Sequence, residues 1–364
     1  MNSLTEALSG DVIICCGSGG VGKTTVGAVI GLELARRGQR VVVVTIDPAK
    51  RLADALGVTA APGTKGGLGN EPTRLVLPGT PTTGELWAAM LDPAATFDGL
   101  VRQTAPSPER AERILANPFY RNIAGALSGT QEYMAAERLY ALHSDPRFDV
   151  VVVDTPPSRH ALDFLEAPST LARFLDHPVF KLLMVPARRG LSVLNVAAQP
   201  VLRSIGKVVG GAVLADAIAF FQAFDGMEAG FRDRAGAVMT LLRSETSRYV
   251  LVASPQSDTV DEARFFADRL HQASLRVSAL IVNRSTPTFP KPAVPRRKAD
   301  AALWANLDEL ESMATAEHEH LAALAGQVDD APVAWVPLLS DDVHDLDGLE
   351  LVRALLFGPS GVAG

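Results

Sequence analysis

Apolar and polar positions along this 364-residue chain follow two regimes. Short, mostly apolar runs, nearly all closed by glycine, proline, aspartate or asparagine, fall at residues 12–16, 41–46, 148–154, 248–253, 277–282 and 333–336. Valine and isoleucine dominate them. A strand that is apolar at nearly every position is one buried on both faces, as in a parallel sheet. Between the runs lie longer stretches with helical spacing: 24–37, closed by Gly38; about 258–272; about 300–325; and a last one from Leu346. A short strand is expected at 74–77, a helical pattern with interruptions over 82–144, and helices without a strand over 161–245. Strands alternating with helices predict an α/β fold with a doubly wound, mostly parallel sheet. The two long helical stretches read as insertions at about 82–145 and 161–245, which build a helical subdomain into one domain of residues 1–364.

The least polar segment, residues 205–224, approaches the length of a membrane span, but Lys207, Asp216 and three glycines interrupt it. It is read as protein-buried or groove-lining helix. Ile218, Phe221 and Phe224 recur at helical spacing and are followed by Met227 and Phe231. Core packing of the helical subdomain is the first reading of that stripe, and an apolar partner-binding surface the second.

Composition narrows the function classes. A formal net charge of −7 argues against a nucleic-acid-binding surface as the main purpose. The two cysteines, Cys15 and Cys16, are adjacent in an expected buried strand, so they point to opposite faces and neither pair nor chelate easily. A reducing, cytoplasmic setting fits them. The first eleven residues carry Glu6 and no apolar core, which is not the pattern of a signal peptide. The Gly-rich stretch 62–70 and the Pro-, Lys- and Arg-rich stretch 286–298 read as surface loops. Glu317-His318-Glu319-His320 sets its histidines two apart on different helix faces, a solvated face and no metal site.

Chemistry concentrates after the first apolar run. Gly17-Ser18-Gly19-Gly20-Val21-Gly22-Lys23-Thr24-Thr25 fits G-x-x-x-x-G-K-[ST], lying between a strand and a helix. Glycines let the backbone curl until several N–H groups point inward, and a phosphate then sits at the positive end of the helix dipole. Lys23 would reach the β- and γ-phosphates and the Thr24 hydroxyl would bind Mg²⁺. The run 148–154 ends in Asp154, as a strand holding Mg²⁺ through water requires. Asp47 ends another strand, where ligands gather in open α/β sheets, with a helix N-cap as its plain alternative.

In this order the motifs resemble the arsenite-pump and tail-anchored-protein-targeting ATPases, the ArsA/GET-type group, over nearly the whole chain. Thr45-Ile46-Asp47-Pro48-Ala49 resembles that family's first switch and Asp154-Thr155-Pro156-Pro157 its second. Residues 248–283 resemble the segment leading to its adenine-binding asparagine, and Val336-Pro337-Leu338-Leu339 its adenine-flanking loop. The resemblance implies an enzyme that binds ATP with Mg. In it Asp47 polarises the attacking water, Asp154 holds an Mg²⁺-bound water, Asn283 reads adenine, and Pro337 and Leu338 flank the base. It also implies a nucleotide-gated dimer that serves a hydrophobic client or membrane-protein partner.

Departures from the family pattern qualify that expectation. Ser18 stands where the family has a lysine that crosses the dimer interface, Lys50 where histidine is usual, Arg159 where glycine is and Asp163 where arginine is. A homodimer, or a heterodimer with a paralogue carrying the missing lysine, is the expected assembly. The family's zinc-clasp cysteine pair is missing, which disfavours a zinc-clasped dimer, and so is its arsenite-binding cysteine cluster, which disfavours an anion-efflux subunit. A weakly active regulatory subunit remains the other alternative.

Overall fold

The computed structural model describes residues 3–46, 51–56, 68–77, 83–121, 130–156, 163–176, 211–290, 297, 300–328 and 330–358. These divide into two compact units. The first holds residues 1–91, 142–162 and 243–364, and the second 92–141 and 163–242.

The first unit is built on one eight-stranded sheet. Its strands are β1 (Val12–Cys16), β2 (Arg40–Thr45), β3 (Thr73–Leu75), β4 (Glu85–Met90), β5 (Val150–Asp154), β6 (Ser247–Ala253), β7 (Val277–Ser285) and β8 (Val333–Pro337), in the order β3-β4-β2-β5-β1-β6-β7-β8. Every neighbouring pair is parallel except β3 with β4. β1 and β5 are buried at every residue, which is why they carry no polar alternation. Helices α1 (Leu4–Ala7), α2 (Lys23–Arg36) and α3 (Arg51–Ala55) belong to this unit. Gly38 follows α2 with φ +97°, a left-handed stop.

β4 is a correction. Its stretch falls where an interrupted helical pattern is expected, because Glu, Leu, Ala and Met are helix formers with weak strand preference. Pairing decides otherwise: Leu86, Ala88 and Ala89 are buried between β2 and β3. β7 is also longer than its apolar run, so Asn283 lies inside the strand and not after it.

The second unit is helical: α4 (Pro93–Thr104), α5 (Pro108–Leu115), α6 (Thr130–His143, whose last residues fall in the first unit), α7 (Asp163–Asp176), α8 (Gly211–Phe224) and α9 (Glu228–Leu242). Residues 205–210 lie outside the described residues. Phe221 and Phe224 are 8% and 6% exposed, and Met227 and Phe231 still less, in a cluster with Leu100, Ile114, Tyr120 and Phe220. The aromatic stripe is therefore core, which settles the choice between packing and an exposed surface for these residues. Among the described residues no helix is long and apolar enough to cross a membrane.

The first unit closes with α10 (Ser257–Gln272), α11 (Ala301–Gln327) and α12 (Leu346–Phe357). On α11 the Glu317–His320 stretch is more than a solvated face. Glu317 accepts hydrogen bonds from both the Thr286 N–H and hydroxyl, at 2.8 and 2.6 Å. His318 stacks on Trp335 at 3.9 Å between ring centroids, its Nδ1–H directed to the Ala314 carbonyl. Arg36 on α2 bonds Glu350 on α12, and Arg353 on α12 bonds Glu33 on α2 at 2.8 Å. This half-buried network ties the last helix to the helix that follows the glycine loop.

Candidate functional site: the glycine loop and its cavity

β1 delivers the chain into a loop whose glycines are required by space and by backbone. A Cβ on Gly17, φ +151°, would run into the Val252 carbonyl of β6. Gly22 caps α2 with φ +91°, and a Cβ there would collide with the Asn283 amide. α2 therefore begins directly behind the loop, with its unpaired N–H groups and positive dipole end turned to the same place.

Lys23, the first residue of α2, is 5% exposed, and its ammonium donates to the Ser18 carbonyl at 2.6 Å. The Thr24 hydroxyl donates to Asp154 Oδ2 at 2.7 Å, and the Thr45 hydroxyl to the same oxygen at 2.9 Å. Register explains this convergence. Asp154 is level with Cys15 on β1 and with Thr45 on β2, so three parallel strands end together at their carboxyl edge. Thr155 donates to the Cys15 carbonyl at 2.7 Å and closes the gap between β5 and β1.

Asn283 and Arg284 reach the loop from β7. The Asn283 side-chain N–H donates to the Val21 carbonyl at 2.8 Å, and its Oδ1 accepts from the Arg284 N–H at 3.0 Å. The Arg284 guanidinium donates to the Gly20 carbonyl at 3.0 Å. The Leu338 N–H donates to the Ser285 carbonyl at 2.8 Å, which fixes the loop after β8 beside them. The result is a cavity of about 450 Å³ lined by Gly20, Gly22, Lys23, Thr24 and Thr25 together with Thr155, Asn283, Arg284, Pro337 and Leu338; Asp341 and Asp342 also border it. Pockets of this size suit a small-molecule ligand.

Of the residues singled out in the sequence, the cavity thus gathers the C-terminal part of the glycine loop with Asn283, Pro337 and Leu338. Asp154 stands behind Thr24, joined to it by the hydrogen bond. Gly17, Ser18, Gly19 and Val21 shape the loop without lining the cavity. Ser18 is 4% exposed and its hydroxyl makes no hydrogen bond among the described residues. Asp47, Lys50 and Arg159 lie outside the described residues. Arg284, Asp341 and Asp342 were not anticipated; the signal available for Arg284 was its place directly after Asn283.

The donor set suits a hard cation. A threonine hydroxyl and a carboxylate are oxygen ligands of the kind Mg²⁺ takes, and Mg²⁺ needs few of them because phosphate oxygens and water supply the rest. Among the described residues no group of three or more His, Cys, Asp or Glu side chains could hold a metal by itself. Both cysteines are buried and free, and burial pushes the Cys16 thiol up to about 12 and the Cys15 thiol well above its ordinary value. Neither offers a thiolate.

Comparison with known proteins follows the same line. A family profile described as anion-transporting ATPase (ArsA ATPase) matches residues 11–358. An ATPase ASNA1 homolog of Trypanosoma cruzi is 27% identical, over 94% of this chain and 90% of that protein. The Escherichia coli arsenical pump-driving ATPase is 26% identical over 87% of this chain. The chain spans 44% of the length of that protein and 44% of the Malassezia globosa ATPase GET3, to which it is 32% identical over 45% of its own length. With a matched profile that runs from β1 through α12, this chain belongs to the anion-transporting ATPase (ArsA ATPase) family.

Proposed function

We propose that this protein binds ATP with Mg²⁺ in the cavity behind the glycine loop and hydrolyses it, with nucleotide state opening and closing a dimer. The observation that carries the reading is the Thr24–Asp154 hydrogen bond of 2.7 Å, placed beside a buried lysine at the mouth of a helix. Loop N–H groups and the start of α2 would receive the phosphates, and Lys23 would place its charge on the β- and γ-oxygens. Thr24 and Asp154 would hold the cation, Asp154 through water. Mg²⁺, when bound, neutralises charge that develops on the phosphate oxygens. Asp47 would orient and polarise the attacking water. Asn283, Pro337 and Leu338 would meet the base.

A hydrophobic client or membrane-protein partner is the finer part of this reading, supported by the apolar content of residues 205–231 and by the family. Phe221 and Phe224 are core, so a client surface must be carried by other residues. An anion-efflux role built on thiolates finds no support in two buried thiols. The test is steady-state ATPase activity with and without Mg²⁺, together with oligomeric mass with and without nucleotide. Absence of Mg²⁺-dependent turnover, alone and with a lysine-bearing paralogue, defeats the proposal.

Ser18 supports the dependence on a paralogue. A serine can hydrogen-bond but cannot neutralise phosphate charge in a closed site, where a missing arginine finger in comparable enzymes costs on the order of 10³–10⁵ in rate. The isolated chain is expected to turn over slowly and to be accelerated by a paralogue that carries the lysine. Ser18→Lys should raise its activity by roughly tenfold or more, short of a full finger effect. Lys50 or Arg159 is the alternative source of that charge, in which case Ser18→Lys changes nothing and neutralising one of those cations stops hydrolysis. A fully active wild-type homodimer that is indifferent to changes at all three positions defeats the idea.

A further inference from the structure

Two consecutive carbonyls of the glycine loop are held by two consecutive residues of β7: Gly20 by Arg284 and Val21 by Asn283. A trans peptide is planar, with its C=O and N–H on opposite sides. Holding the Gly20 carbonyl therefore aims the Val21 N–H the other way, and holding the Val21 carbonyl aims the Gly22 N–H. N–H groups aimed together are what an anion-binding loop consists of.

The backbone of Arg284 points to the same purpose. Its φ is +61°, and Ser274 is the other non-glycine residue with positive φ among the described residues. A bulky side chain rarely adopts that conformation, and such local strain persists where surrounding structure fixes it. The β7–β8 register also shifts between Asn283 and Ser285, so Arg284 is the extra residue of a bulge. Bulges re-aim side chains. Here the bulge sends an arginine to the rim of the cavity, where it contributes a cation besides Lys23.

We propose that Arg284 is a positioning residue for nucleotide binding: through Gly20, and with Asn283 as its companion, it sets the glycine loop in its phosphate-receiving form. The inference rests on the proposed nucleotide site. It adds a residue that neither the loop motif nor the adenine-side motif includes.

Arg284→Gly separates this role from folding, because glycine accepts φ +61° without strain while the guanidinium is lost. The thermal melting point should stay at or above that of the wild type. Affinity for ATP and for ADP, read by calorimetric titration, should fall together by roughly tenfold, the weight of one hydrogen bond to a charged group. Arg284→Lys should recover part of it. Hydrogen–deuterium exchange over residues 17–22 of the nucleotide-free protein should rise in Arg284→Gly. Unchanged loop exchange would mean that Arg284 meets the ligand directly, and it overturns the positioning role even if affinity falls. Wild-type affinity in Arg284→Gly overturns it as well. A wild-type protein that binds neither ATP nor ADP overturns the nucleotide site itself, an outcome separate from the other two.

Discussion

Asp47→Asn is expected to bind ATP nearly as well as the wild type and to hydrolyse it about 10²–10⁴-fold more slowly, the usual weight of a positioned general base. The argument starts from the end of β2. The Thr45 hydroxyl is committed to Asp154, and the Ile46 N–H donates to the Asp154 carbonyl at 3.0 Å, so the chain leaves the sheet beside the Thr24–Asp154 pair. Asp47 is the next residue in sequence. A carboxylate acting on water and not on nucleotide lowers turnover and spares binding. Lys23→Ala should weaken binding as well as lower the rate, because in the proposed site the lysine charge would meet the phosphates themselves. Single-turnover hydrolysis, paired with a direct binding titration, reads both. Wild-type turnover in Asp47→Asn removes the assignment.

The double variant Phe221→Ser, Phe224→Ser is expected to unfold the helical unit. Phe220 and Phe224 stack at 5.6 Å, Phe224 meets Phe231 at 5.1 Å, and Phe221 meets Phe119 of the segment after α5 at 6.0 Å. Truncating a buried aromatic costs about 3–5 kcal/mol. Two such losses match the whole stability of an ordinary domain, about 5–15 kcal/mol. Circular dichroism during a thermal melt should show the helical transition lost or moved far down. A variant that melts like the wild type while losing capture of hydrophobic helices would show that these rings are surface after all.

What could be read from the chain beforehand follows the distance over which each feature is determined. Strands such as β1 and β5 declare themselves because Val, Ile and Cys suit a doubly buried strand and nothing else competes. The glycine loop is local too, since its backbone requirement is met by glycines inside nine residues. β4 was illegible because its composition favours helix and only pairing with β2 and β3 makes it a strand. Glu317 reads as solvated from sequence because its partner, Thr286, lies 31 residues away in a loop. Arg284 is hidden in the sequence for a related reason. Its role depends on a left-handed backbone angle and a bulge, and no residue type announces either in an arginine.

The topology of β1 also sets an order of events during synthesis. Its two strand neighbours, β5 and β6, pair with it 139 and 235 residues later by register, Val12 facing Val151 on one side and Ser247 on the other, and the two loop pins arrive only at Asn283 and Arg284. Contacts so distant in sequence are slow to close. A growing chain therefore carries the complete glycine motif through most of its translation without carrying the folded loop. Until β7 has emerged, the loop lacks both of its pins, so under the proposed function the nascent protein cannot use nucleotide binding as a folding aid.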